Sequence, residues 1–341
     1  MELIETIEQL EERLSRPTEG ALATLRALDG DVLVLGAGGK MGPTLARMVR
    51  RGVDALSQKR RVLAVSRFSS PAVAAELERH GVETYSCDLT DRDAVRALPD
   101  ANNIIFMAGQ KFGTQDAPGL TWVMNTLVPA AVADRYARSR IVVFSTGCVY
   151  ALTSVSGGGS REVDPLDPPG EYANSCVGRE RIFTHFSQQS GTAALFLRLN
   201  YAIDLRYGVL LDVAQKVAQG TPVDVTIGYA NVIWQGDANA RAIQCLEHVS
   251  SPPPALNVTG REKISIRSLA EQFGELLGRK PVIVGQEAPT AWLADASRSF
   301  ELLGPVTVAL DEMVAATAHW LKRGGATLGK PTHFDSRDGK F

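Results

Sequence analysis

The chain has 341 residues, 45% of them hydrophobic and 22% charged, with a formal net charge of -2. That length exceeds one ordinary core and suits two lobes, and so even a charge offers nucleic acid or an anionic membrane nothing to grip. No apolar run nears the roughly 20 residues that span a bilayer, and the acidic, amphipathic first 20 residues do not read as a secretory leader. The four cysteines (Cys87, Cys148, Cys176, Cys245) are scattered, and the five histidines lack ligand spacing. The expectation is therefore a reduced, cytoplasmic protein with no metal.

Residues 1–30 precede the first strand. Leu3, Ile7, Leu10 and Leu14 recur at helical spacing, and Pro17 ends that helix. This predicts an N-terminal helical extension, lying on the body or on a partner subunit. Residues 32–36 then form a short apolar run of the kind a strand covered on both faces requires. Gly36, Gly39 and Gly42 follow at G-x-x-G-x-x-G spacing, with Gly38, Lys40 and Met41 filling the loop. Such glycines permit a tight turn, a close backbone approach to a pyrophosphate and close packing of helix on strand. The following helix directs free N–H groups at the phosphates. The alternative is a strand-to-helix turn that binds nothing.

Further strands are predicted at 61–66, 83–87, 103–108, 140–145 and 193–198. Helical patterns fill the gaps at 40–52, 71–80, 91–97, 118–138 and 172–189. This alternation predicts an α/β fold, a Rossmann-type doubly wound parallel sheet over residues 31–200, with segments near 230–260 returning to it. Residues 201–341 then form mainly a smaller C-terminal substrate-binding lobe. Ligands in such sheets bind beyond the carboxyl ends of the strands. After the second strand, Ser66 and Arg67 stand where an NAD-selective site places an acid; a hydroxyl and a guanidinium suit a 2′-phosphate, which favours NADP. After the third strand, Asp88 and Leu89 are placed near the adenine, and Thr90 or Asp91 can cap the next helix. After the fourth, Ala108 and Gly109 leave room for a cofactor over the strand end, and Lys111 follows. After the fifth come Ser145, Thr146 and Tyr150, a loop rich in Gly, Pro and acidic residues, and then Tyr172 opening a helix.

Here the chain resembles an extended short-chain dehydrogenase/reductase of the NAD-dependent epimerase/dehydratase family, whose members mostly act on sugars and sugar nucleotides. The resemblance rests on the glycine spacing, Asp88-Leu89-Thr90-Asp91, Asn125, Ser145-Thr146, Glu162 with Pro165 and Pro168, and Tyr172 with Ser175 and Glu180. Later marks are Leu197-Arg198-Leu199-Asn200, residues 232–237, residues 256–260 and Asp295-Ala296-Ser297. It implies an NAD(P) cofactor, a sugar-type substrate and a homodimer formed through the helices at 118–138 and 172–189. It also implies that Thr146 donates to the reacting oxygen and Tyr172 handles the proton, with a lysine four residues later. That lysine favours the phenolate of a group whose free pKa is about 10.

The lysine position is Cys176, on the same helix face but without a charge. Three explanations stand open. Lys111 supplies the cation instead, or is a solvated loop lysine. Alternatively, the substrate needs less proton transfer and Tyr172 only positions it. In the third, the protein is a catalytically inert NAD(P)-binding sensor or scaffold. Cys176 as a nucleophile lacks a neighbouring His base, and its other reading is packing. Asn125 bridges backbone and water near the cleft or faces a loop. Asn200, Arg198 and Arg206 are candidate substrate contacts, each with a structural turn or ion pair as its alternative.

Overall fold

The computed structural model describes residues 3–114 and 116–339. At the N-terminus, Thr6 and Gln9 form a reciprocal cap on helix α1 (Ile7–Leu14), and Thr18 caps a second helix, α2 (Glu19–Ala27). The sequence pattern showed only the first of these. The extension lies within the chain's own body. Leu10 and Leu14 enter the core of the second lobe, whereas Ala21 and Leu25 enter that of the sheet.

Seven parallel strands follow: β1 (Val32–Leu35), β2 (Val62–Ser66), β3 (Glu83–Ser86), β4 (Asn103–Phe106), β5 (Arg140–Thr146), β6 (Ala194–Leu199) and β7 (Ala255–Val258). Their order is β7-β6-β5-β4-β1-β2-β3, so the winding reverses between β1 and β4. The connections are α3 (Gly42–Ala55), α4 (Pro71–Arg79), α5 (Arg92–Arg96), the pair α6 (Pro118–Trp122) and α7 (Val128–Arg135), and α8 (Glu171–Ser190). Val62–Val65 and Asn103–Phe106 are wholly buried, as strands covered on both faces must be. The helix expected over 118–138 is interrupted by a π turn at Val123–Leu127, which places Asn125 inside.

The second lobe packs α9 (Val209–Gln219), α11 (Ile266–Leu277) and α12 (Leu310–Lys322) around Val213, Val217, Phe273 and Trp320. Between the lobes, α10 (Gln235–Gln244) rests on α2 and α3. Asp237, in the first turn of α10, accepts from Thr307 N at 2.9 Å and Val308 N at 3.2 Å, so it clips a distant loop instead of capping its own helix.

A buried polar network fixes α8 on the sheet. The Glu180 carboxylate accepts from Arg198 Nε at 3.0 Å, from Arg198 Nη2 at 2.7 Å and from Ser145 Oγ at 2.6 Å. Arg198 Nη1 donates to Tyr150 Oη at 2.7 Å, and Tyr150 donates to Asn257 Oδ1 at 2.8 Å. The network thus joins α8 to β5, β6 and β7. Removing one member of a buried pair leaves the other uncompensated, so Arg198→Met is expected to cost about 3–5 kcal/mol of stability. Urea unfolding of that variant checks it. In the same assay Leu14→Ala is expected to cost about 2–5 kcal/mol, although Leu14 belongs to the N-terminal extension.

Candidate active site

The loop from β1 to α3 is built for close approach. Gly36 has φ +91, and a Cβ there would stand 2.6 Å from Ala108 N. A Cβ on Gly42 would stand 2.4 Å from Ala37 O, so only glycine lets α3 begin against the loop. A Cβ on Gly39 would meet nothing closer than Gly36 O at 3.4 Å, so the outer face of the loop is open. Helix α3 starts at Gly42, with Pro43 in its first turn and no side-chain cap, leaving its first N–H groups available. Open glycine backbone beside uncapped N–H groups fits a dinucleotide pyrophosphate. The Lys40 side chain turns away from this cradle toward the second lobe. Its Nζ donates to Ala202 O at 3.0 Å and lies 4.1 Å from the Tyr207 ring centroid. Burial lowers its pKa to about 8.

At the ends of β2 and β3, a Cβ on Gly38 would meet Ser66 Oγ at 2.5 Å, which brings Ser66 against the loop. Arg67 is exposed and its charge acts on Asp88. Asp88 accepts from Thr90 N at 3.0 Å and Thr90 Oγ1 at 2.8 Å, which holds its carboxyl below the usual range. Asp91 is the residue that caps α5. Leu89, expected at the cofactor, is a core residue packed under the sheet.

A cavity of about 280 Å³ opens between the lobes at the carboxyl ends of β1, β4, β5 and β6. Gly36, Gly39, Gly109, Lys111, Thr146, Tyr172 and Asn200 all line it. Thr146 Oγ1 accepts from Cys148 N at 3.1 Å and is hydrogen-bonded with the Tyr172 phenol. Burial pushes that phenol well above its ordinary pKa, Cys176 and Cys148 push it the same way, and the Arg179 guanidinium opposes them. Lys111 Nζ stands 6.0 Å from the Tyr172 ring centroid and 5.5 Å from that of Phe112. Burial lowers its pKa.

Cys176 does not reach the cavity. It is sealed with Val149 and Tyr150, and burial raises its thiol pKa. That corrects its place among the catalytic candidates: a neutral, enclosed thiol is a packing residue that touches Tyr172 from behind. Arg198 and Arg206, expected at the substrate, are likewise structural. Arg198 is consumed by Glu180, and Arg206 pairs with Glu11 at 2.5 Å and Asp204 at 3.0 Å, tying α1 to the second lobe. Asn200 donates to Trp292 O at 3.3 Å.

Asn125 supports the wall from outside the cavity. Its Oδ1 accepts from Gln110 N at 3.0 Å and Arg179 Nη2 at 2.5 Å, and its Nδ2 donates to Gln110 O and Ser175 Oγ. Arg179 also donates to Phe144 O at 2.7 Å. The sequence reading passed over Arg179, although it lies seven residues after Tyr172 and three after Cys176, on the same helix face. Tyr201, Tyr207 and Thr332 line the cavity too. No sequence signal points to Thr332, which the C-terminal tail delivers by hydrogen bonds to Asp212 at 2.8 and 2.6 Å. Among the described residues no helix is long and apolar enough to cross a membrane, and no group of three or more His, Cys, Asp or Glu could hold a metal ion.

Among solved structures, Pal from Bacillus thuringiensis superposes with a TM-score of 0.70 at 18% identity, covering 86% of this chain and 99% of that one. UDP-glucose 4-epimerase from Thermus thermophilus, in complex with NAD, gives 0.69 at 19%, covering 86% and 99%. DesIV, a dTDP-glucose 4,6-dehydratase from Streptomyces venezuelae with NAD bound, gives 0.72 at 17%, covering 86% and 97%. At these identities the likeness is one of fold. No curated protein matches the chain in sequence. The sequence model of the NAD dependent epimerase/dehydratase family matches residues 32–218, from β1 to the end of α9, which is more than half the chain. On that match the protein belongs to the NAD-dependent epimerase/dehydratase family.

Proposed function

We propose that this protein is an NAD(P)-dependent oxidoreductase, epimerase or dehydratase acting on a sugar or sugar derivative, working as a cytoplasmic homodimer. The observation that carries this reading is the Thr146–Tyr172 hydrogen-bonded pair on the wall of the cavity that the glycine loop also enters. The cofactor supplies a hydride donor or acceptor. Thr146 orients the reacting oxygen, and Tyr172, held neutral by burial, gives that oxygen its proton as hydride reaches the adjoining carbon. The phenolate left behind is stabilised by Arg179, with Lys111 over the ring as the second cation. Oxidation runs the same transfers backward. The Ser66 hydroxyl and the Arg67 guanidinium favour NADP over NAD, with Asp88 near the adenine and Ala108 and Gly109 beneath the cofactor. Leu120 and Leu127, 47% and 50% exposed, leave apolar surface on α6 and the π turn for the dimer.

A second reading is favoured by one observation: Cys176 holds the lysine position without a charge, and the Arg179 guanidinium does not offset the burial that pushes the Tyr172 phenol up. On that reading the protein binds the dinucleotide as a sensor, without turnover. Titration with NAD(H) and NADP(H), then incubation with sugars, sugar acids and nucleotide sugars, separates the two. Tyr172→Phe is expected to lower kcat by about 100-fold or more while dinucleotide affinity stays unchanged. Full activity in that variant removes the proton role, and tight binding with no product from any sugar supports the sensor.

A further inference from the structure

The cavity has a one-sided charge. Its lining includes Lys40, Lys111 and Arg179 and, among the described residues, no aspartate or glutamate. The nearest acids are already engaged: Asp204 holds Arg206, and Asp212 holds Thr332. Lys40 has one hydrogen-bond acceptor, Ala202 O, for its three donors, and rests on the Tyr207 ring. Tyr201 lines the same cavity, and its hydroxyl is buried with no hydrogen-bond partner among the described residues. Tyr201 also holds φ +44, a conformation that a bulky aromatic residue rarely adopts. A strained tyrosine with an orphaned hydroxyl, in the same cavity as an under-satisfied ammonium, is an arrangement completed by a ligand.

We propose that Lys40 and Tyr201 form a subsite for the carboxylate of a small sugar acid, placed on the second-lobe side of the cavity. One ammonium and one hydroxyl match the two oxygens of a carboxylate. The cavity, about 280 Å³, lies at the small end of ligand pockets and is closed on one side by Thr332 from the C-terminal tail. A volume at that end suits a small ligand such as a monosaccharide. This inference rests on the sugar-directed reading above, and it selects anionic monosaccharides within that class. Lys40 is faced by Asp204 and Asp212, which favour its charge, and by Arg206 and Lys111, which oppose it. Its ammonium is thus present below about pH 8, and sugar-acid affinity is expected to fall as pH rises beyond that value.

The test is equilibrium binding to the full chain saturated with dinucleotide, read by intrinsic fluorescence, so that it needs no turnover. The probes are D-glucuronate and D-gluconate against D-glucose, D-glucitol, glucose 6-phosphate and UDP-glucose. The sugar acids are expected to bind at least about 10-fold more tightly than their neutral counterparts. Lys40→Met is expected to remove that preference while dinucleotide affinity is kept, and Tyr201→Phe to reduce it several-fold while D-glucose binding does not change. Equal binding of acid and neutral sugars, tighter binding of glucose 6-phosphate or UDP-glucose, or loss of dinucleotide affinity in Lys40→Met each overturns the carboxylate subsite. If the acids bind selectively but no product forms, the subsite stands and the enzymatic reading fails.

Discussion

The buried Glu180–Arg198 pair is the constraint on which the site depends. Taking two charges out of water is expensive, and an isolated pair in an interior seldom recovers that cost. Here the cost is offset because both groups are satisfied several times over, by Ser145, Tyr150 and the backbone of Glu162. A fully connected polar network admits one geometry and penalises every other. It therefore sets how α8 sits against β5 and β6. Tyr172 rides at one end of that helix, Thr146 ends β5, and Asn200 follows β6, so the network places three walls of the cavity at once. Arg179, one residue before Glu180, carries the same order through Asn125 to the Gln110 backbone.

The thiol at 176 is a consequence of that packing. Its neighbours Val149, Tyr150 and Leu166 offer an ammonium no solvent, and the nearby Glu180 carboxylate is already held by Arg198, so a small neutral group suits the space. The positive charge stands instead beside the phenol, as Lys111 over the ring and Arg179 on the next turn of α8. Burial outweighs that flanking charge and holds the Tyr172 phenol in its neutral form.

The N-terminal helix joins the two lobes, and the C-terminal tail braces the second. Glu11 in α1 pairs with Arg206 in the second lobe, while Arg47 in α3 stands 3.8 Å from the same carboxylate. From the other end, Thr332 docks on Asp212, and Trp292 Nε1 donates to Ser336 O at 3.0 Å. Of these two segments the C-terminal tail reaches the cavity itself, through Thr332, and neither carries a recognisable catalytic motif.

The local elements were legible because their causes are local. An apolar run ending in Gly36, glycines at fixed spacing and helical periodicity after each strand specify the parallel sheet, the cofactor loop and the strand ends where Thr146 and Lys111 sit. Within 118–138 the periodicity could not show the π turn, since only packing against Gln110 and Ser175 draws Asn125 inward. The arginines show the limit most clearly. In sequence Arg198, Arg206 and Arg179 are equivalent cations, and the first two followed promising strand ends. Which cation faces a ligand depends on which carboxylates the fold brings beside the others. Glu180 lies 18 residues from Arg198, and Glu11 lies 195 from Arg206. The sequence by itself determined the sheet, its winding and the residues at its open edge, because backbone geometry and hydrophobic spacing are short-range. Only the tertiary structure decided which charges are consumed in the core and which remain for a substrate, because ion pairing and burial are properties of neighbours in space.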